Sequence, residues 1–470
     1  MVSELGLLID GEIVEGARSL PVLNPANEEV IAQCPLADNA LLERAVVAAQ
    51  RAQPAWGAQP HSERQRVLVS IADVINANSK DLARLIVQEQ GKPFQQALFE
   101  VMGAEQHVRF YASLDLPARA ISETATQRIE EHRRPLGVVA GIVPWNFPFM
   151  IAVYKLAPAI LAGNAIIIKP APTTPLSMLR FGALIREVAP PGIVQIMTDN
   201  NDLGTAITSH PGIAKVSFTG STRTGKAIMS NGAGTLKRLT LELGGNDAAI
   251  VLDDIDLDAV VPKLFMFAFA NAGQVCLAIK RLYVHERIYD DVCSRMSRLA
   301  ESAVVGDGFE KGVQIGPLQN RTQFERILGL IEAVRAGDGT VIAGGQRIGA
   351  KGYFIRPTIV RDVKETSDLV REEAFGPIRP ILKFSNVDDA IARANDSSYG
   401  LGASVWSADV ARATAIAERL VAGTVWVNQH MSVNPDVPLR GAKQSGLGVE
   451  YGVEGLHEFT SAQILNVAKA

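Results

Sequence analysis

The chain has 470 residues, 47% apolar and 20% charged, with a formal net charge of −4. That is enough chain for two to four domains with large cores, in the composition of an ordinary globular protein. The densest basic run, residues 130–134, is offset by Glu130 and Glu131 and gives no footing for nucleic acid. Cys34, Cys276 and Cys293 form no CxxC pair, so neither a disulfide framework nor a metal site is expected. No apolar run reaches the roughly 20 residues of a membrane span and no secretory leader is evident, so a cytoplasmic protein is expected.

Residues 5–35 read as short strands and turns. Apolar positions recur at helical spacing over 39–52 and 62–90, as in Leu68, Ile71, Ala72 and Ile75. Gly91, Lys92 and Pro93 stop that helix, and another covers 95–114. Residues 122–135 are polar and extended, as a linker or a projecting hairpin would be. From residue 136 strands (137–143, 165–169, 193–197, 215–218, 236–241) alternate with helices (151–162, 177–188, 222–231). A second alternating series fills 248–427. The pattern predicts two doubly wound α/β domains, with ligands at the carboxyl ends of parallel strands.

Several motifs sit at the element junctions. PWNFP (residues 144–148) holds Asn146 between prolines, as a rigid amide donor for an oxyanion or simply as the cap of the next turn. Lys169 ends a buried strand at the height of a nucleotide ligand, or snorkels to the surface. In segment 217–225, Gly220, Ser221 and Gly225 open a helix that suits a phosphate, although the spacing is not GxGxxG. Glu242 precedes Leu243, Gly244 and Gly245 and is a candidate general base, or a solvated charge. Cys276 follows an apolar run at a junction with Gly273 and Asn271; read alone it is a cleft nucleophile or a small buried hydrophobe. EEAFGP (372–377) and GAKQSG (441–446) are further turn-rich patches.

Taken together and in this order, PWNFP, IIIKP, FTGSTxxG, LELGGN, GQxC, EExFGP and a KQSG segment resemble the NAD(P)-dependent aldehyde dehydrogenase superfamily, of the hydrolytic type with a cysteine nucleophile, over essentially the whole chain. The resemblance implies a nucleotide-binding domain (1–121, 141–243 and 438–455) and a catalytic domain (244–437). It also implies a small β oligomerisation element, made of a hairpin (122–140) and a C-terminal strand (456–470), and hence homodimers or homotetramers. Carried over by position, Cys276 would add to the aldehyde, and Asn146 with the Cys276 N–H would stabilise the oxyanion. Glu242 would activate the hydrolytic water, with Lys155 and Glu450 relaying protons. Trp145, Lys169, Gly220, Ser221, Gly225, Leu243, Gly244, Glu373 and Phe375 would hold the cofactor.

This chain departs from the family pattern at three positions. Pro172 stands where NAD-preferring members often carry a glutamate, so NAD is expected and NADP is admitted. Arg440 replaces a usual glycine, and Lys280 stands where small residues are common. Val275 and Leu277 flank the thiol, and with Phe147, Phe149, Met150, Tyr154, Phe267 and Phe269 they outline an apolar tunnel. A medium-chain aliphatic or aromatic aldehyde is the expected substrate. The alternatives are a carboxylated semialdehyde, a CoA-acylating reaction, or a catalytically idle structural protein on the same fold.

Overall fold

The computed structural model describes residues 5–469. Its first sheet has the spatial order Glu12–Val14, Leu7–Ile9, Val194–Ile196, Ala165–Lys169, Val138–Ile142, Lys215–Thr219, Arg238–Glu242, Gly446–Leu447. The five central strands are parallel and the outer pairings antiparallel. Central strands such as Ala165–Lys169 are buried along their whole length, which explains their unbroken apolar runs. From Val138–Ile142 the chain winds outward on both sides, so the topological switch lies between that strand and Lys215–Thr219. Their carboxyl ends carry PWNFP and Gly220-Ser221, as the rule for open α/β sheets requires.

The second sheet runs Thr340–Ala343, Thr358–Arg361, Ile378–Phe384, Arg281–His285, Ala248–Val251, Gly402–Trp406, Thr424–Val427, parallel except for its first strand. Residues 243–247 lead directly from the end of Arg238–Glu242 into the start of Ala248–Val251. The carboxyl edge of the first sheet therefore faces the amino edge of the second. Cys276, just ahead of Arg281–His285, sits at that amino edge. The motifs at carboxyl ends thus belong to the first sheet, and the thiol lies at the opposite, amino edge of the second.

The ambiguous polar segment is a hairpin, Arg119–Glu123 with Gln127–Pro135, and Thr460–Ala468 pairs antiparallel along its second strand. The expected hairpin span of 122–140 is corrected at both ends. It starts at Arg119 and stops at Pro135, because residues 138–142 are drawn into the centre of the first sheet. Thr460–Ala468 is an edge strand carrying exposed Ile464, Leu465 and Val467.

Candidate active site

The thiol turn is conformationally unusual. Asn271 (φ 49°), Ala272 (φ 56°) and Gly273 (φ 74°) are successive left-handed residues, and only the glycine adopts that region freely. Side-chain bonds hold the turn. Asn271 accepts from Gln90 Nε2 at 3.0 Å and donates to the Asn146 carbonyl at 3.1 Å, while Gln274 donates to the Asn271 carbonyl at 3.0 Å. Cys276 is half-buried between buried Val275 and Leu277. Burial pushes its thiol up to about 12; Glu373, Glu242 and Asp247 push the same way, and Lys280 opposes them. The resting thiol is neutral and needs a proton acceptor.

Asn146 is 3% exposed, and its amide donates to the Gln274 carbonyl at 2.9 Å. Its own carbonyl is gripped by Lys92 Nζ at 2.8 Å. Lys92 in turn pairs with Glu100 at 2.5 Å, both side chains fully buried. The other oxygen of Glu100 accepts the Phe149 and Met150 N–H groups (3.0 and 3.2 Å), capping helix Pro148–Leu161. The amide's rigidity therefore comes from this buried chain as well as from the flanking prolines.

Glu242 is buried, and its Oε1 has no partner among the described residues. Burial, and then the Glu450 carboxylate, hold it well above the usual carboxylate range, while Lys155 pulls it down. Lys155 Nζ meets Glu450 at 2.5 Å, Thr219 Oγ1 at 2.9 Å and Ser217 Oγ at 3.1 Å. Glu242 is not itself part of the cavity wall, but Leu243 and Gly244 are.

Two cavities meet at the junction of the sheets. One of about 250 Å³ is lined by Trp145, Asn146, Gly220, Ser221, Leu243, Gly244, Cys276, Glu373 and Phe375, with Ile151, Gln323 and Arg326. The other, about 590 Å³, shares Trp145, Gly220 and Ser221 and extends along Lys169, Pro172, Thr173, Asn201, Thr205, Thr208 and Thr224. Lys169 is paired with Asp199 at 2.6 Å. Ser221 caps helix Thr222–Gly232, accepting from the Thr224 N–H at 3.3 Å. Trp145 and Phe375 meet edge to face at 5.4 Å. A Cβ on Gly244 would stand 2.5 Å from Glu373 Oε2, so this glycine keeps the carboxylate in place. A groove rich in hydroxyls, opening at a helix N-terminus and ending at the thiol, fits a dinucleotide. Gly225 is the exception among the expected cofactor residues. It lines neither cavity; a Cβ there would meet the Leu243 side chain at 2.6 Å, so it lets the helix pack closely.

The tunnel residues divide. Phe147, Tyr154, Val275 and Leu277 share one cluster with Cys276, together with Leu401, Trp426, Met431, Val433, Leu439 and Tyr451. Phe149 does not join it. Fully buried, it stacks edge-on against Phe181 at 5.2 Å, because the helix turns it into the first core. Phe269 likewise belongs to the second core, against Phe265 at 4.7 Å and beneath the Arg379 guanidinium at 5.5 Å. Met150 packs half-buried against the first core beside Gly103, and Phe267 turns toward Trp406. Of the additional wall residues, Met431 and Val433 fall in the loop after Thr424–Val427 and Leu439 and Tyr451 near the GAKQSG patch, where turn signals hide apolar roles. Arg440 leaves the loop intact: its side chain is exposed, and Leu439 bridges Glu450.

The family model described as the aldehyde dehydrogenase family matches residues 13–465. Phenylacetaldehyde dehydrogenase of Pseudomonas fluorescens is 39% identical, covering 98% of this chain and 95% of its own. The NAD+ complex of aldehyde dehydrogenase from Bacillus cereus superposes with TM-score 0.97 at 36% identity, over 99% of this chain and 96% of that one. An NADP-dependent enzyme of E. coli gives TM-score 0.97 at 33% identity, over 100% and 99%. With the thiol, the Asn146 amide and Glu373 on the wall of one cavity that meets a larger groove, the chain belongs to the aldehyde dehydrogenase family and is an NAD(P)-dependent aldehyde dehydrogenase.

Proposed function

We propose that the enzyme oxidises apolar aldehydes, medium-chain aliphatic or aromatic, to carboxylic acids, with Cys276 as nucleophile and Glu242 as the base of hydrolysis. The observation that carries the substrate class is the fate of the two cations nearest the thiol in sequence. Lys280 bonds the Val275 and Cys276 carbonyls, and Arg281 bonds the Asn246 and Ala394 carbonyls at 3.0 Å each. Neither is free to hold a substrate carboxylate, and the wall around Cys276 is aromatic and aliphatic. The Pseudomonas fluorescens relative, a phenylacetaldehyde dehydrogenase, points the same way.

In this reading the Cys276 thiol gives its proton to solvent water as the sulfur bonds to the aldehyde carbon, and the carbonyl electron pair moves onto oxygen. The Cys276 N–H and the second N–H of the Asn146 amide receive that oxyanion. The chemistry supplied by bound NAD(P) is hydride acceptance, which oxidises the hemithioacetal to a thioester. Glu242 then takes a proton from water as its oxygen attacks the thioester carbon, and the thiolate leaves. Lys155 and Glu450 carry the proton away. Lys169, Gly220 and Ser221 hold the adenosine and phosphate portion, and Glu373 with Phe375 the nicotinamide ribose. Pro172 places no carboxylate against a 2′-phosphate, so both cofactors are accepted. The exposed edge strand Thr460–Ala468 pairs with a neighbouring subunit to give a homodimer or homotetramer.

Initial rates on acetaldehyde, hexanal, benzaldehyde and succinic semialdehyde test this reading. We expect kcat/KM for hexanal or benzaldehyde to exceed that for succinic semialdehyde by about tenfold or more. A preference for the semialdehyde overturns the substrate class, and a rate that requires CoA overturns the hydrolytic route.

A further inference from the structure

Lys280 takes no part in the chemistry above, yet it is among the largest fully buried side chains of the protein. A lysine ammonium has three N–H donors, and a buried one is costly unless all are matched. Here all three are. Nζ bonds the Val275 carbonyl at 2.8 Å, the Cys276 carbonyl, and Glu373 Oε1 at 3.2 Å. The same Glu373 oxygen accepts the Gly245 N–H at 3.2 Å. Arg379 clamps the same two segments from a second point, donating to the Gly273 carbonyl at 3.3 Å and the Gly376 carbonyl at 2.7 Å.

We propose that Lys280 is a positioning residue that makes the thiol turn and the Glu373 carboxylate one unit, so that a single buried ammonium sets both the nucleophile and the ribose end of the cofactor site. The proposal rests on the reading of Cys276 as nucleophile and Glu373 as ribose ligand. Glu373, Glu242, Asp247 and Tyr451 also face the thiol; Lys280 is the cation that offsets the carboxylates among them. Glu373 in turn faces Lys280, Asp247, Arg379 and Tyr399. Removing the lysine charge therefore disfavours the thiolate and leaves the Glu373 carboxylate unanchored. Removing the Glu373 charge has the opposite effect on the thiolate.

The test is the rate of Cys276 alkylation by iodoacetamide in the full-length protein, without cofactor, between pH 7 and 9.5. Modified peptides are read by mass spectrometry, alongside residual activity and the KM for NAD. Thiolate, not thiol, is the reacting species. Lys280→Met, which keeps the apolar stem, is expected to label about tenfold more slowly and to raise the KM for NAD about tenfold. Glu373→Gln is expected to label about tenfold faster. General loosening of the site would move both variants in the same direction, so rates that move together, or that match the unsubstituted protein, overturn the proposal. Should Lys280→Met not fold, Glu373→Gln decides alone: faster labelling supports the proposal, and unchanged or slower labelling overturns it. Labelling of Cys276 that leaves activity intact overturns the catalytic reading and the proposal with it. Labelling that abolishes activity, with no opposed shifts, overturns the proposal alone.

Discussion

The Lys155 ammonium and the Glu450 carboxylate meet at 2.5 Å, and this buried pair faces Glu242. The two members act on Glu242 in opposite senses: Glu450 raises its pKa and Lys155 lowers it. A base works only when deprotonated, so hydrolysis is present above the Glu242 pKa and lost as pH falls through it. Glu450→Gln removes the raising charge and should move the acid limb of kcat down by about one pH unit. Lys155→Met should move it up. Steady-state rates measured from pH 5 to 9 decide the matter, and limbs that do not move would detach the pair from the base.

Replacing Glu242 itself separates the two half-reactions. Glu242→Gln should retain a pre-steady-state burst of reduced cofactor while turnover falls by about 100-fold or more, the usual contribution of a positioned base. Cys276→Ala should lose burst and turnover together and still bind cofactor, since the large groove lies along Lys169 and Ser221 and away from the thiol. Stopped-flow absorbance of the reduced nicotinamide reads both. Equal loss of burst and turnover in Glu242→Gln would give that carboxylate another task.

The alternation of strands and helices made both sheets legible, because parallel strands buried on both faces need continuous apolar runs. Cys276 and Asn146, singled out by their motifs, do come together on the wall of one cavity, and Glu242 lies buried next to Leu243 of that wall. The place of Phe149 was not legible. Helix Pro148–Leu161 is buried almost all round, so its pattern carries no phase to tell the tunnel side from the core side. Nor was the thiol's place at the amino edge of its sheet, which depends on how residues 243–247 join the two sheets. The charges that hold the site, Lys92 on the Asn146 carbonyl and Lys280 on Glu373, join residues far apart in the chain. Local periodicity contains no record of such pairings.

His107 offers a test of stability. It is 1% exposed, packed among Tyr154 (4.1 Å), Tyr111 (4.9 Å) and Tyr451 (5.1 Å), and its Nε2 has no partner among the described residues. Burial lowers its pKa from 6.5 to about 3. Between those values the unfolded chain binds the proton and the folded one does not, so stability falls as pH drops below 6.5 and continues to fall toward 3. At pH 5 the linkage costs about 2 kcal/mol. His107→Phe keeps an aromatic ring and removes both the titration and the unpaired nitrogen. Its gain in Tm should be larger at pH 5 than at pH 8; equal gains at the two values would mean that the imidazole is not buried neutral.

Pro172 lines the larger groove and offers a test of cofactor choice. The wall around it presents Thr173, Asn201, Thr205 and Thr208, and Lys169 is already committed to Asp199 at 2.6 Å. No uncompensated carboxylate among these residues repels a 2′-phosphate. Pro172→Glu introduces one beside the strand end that carries Lys169, where it can accept the ribose hydroxyls of NAD and oppose the phosphate of NADP. Discrimination by an added repulsive group should lower kcat/KM for NADP by about tenfold or more, while that for NAD holds or rises. The turn tolerates the change, because its Thr174 N–H to Ala171 carbonyl bond (3.1 Å) does not involve residue 172. Paired kcat/KM values with one good aldehyde are the measurement. An unchanged NADP to NAD ratio would show that residue 172 does not face the ribose, and the adenosine would then have to lie farther along the groove, toward Thr208 and Asn231.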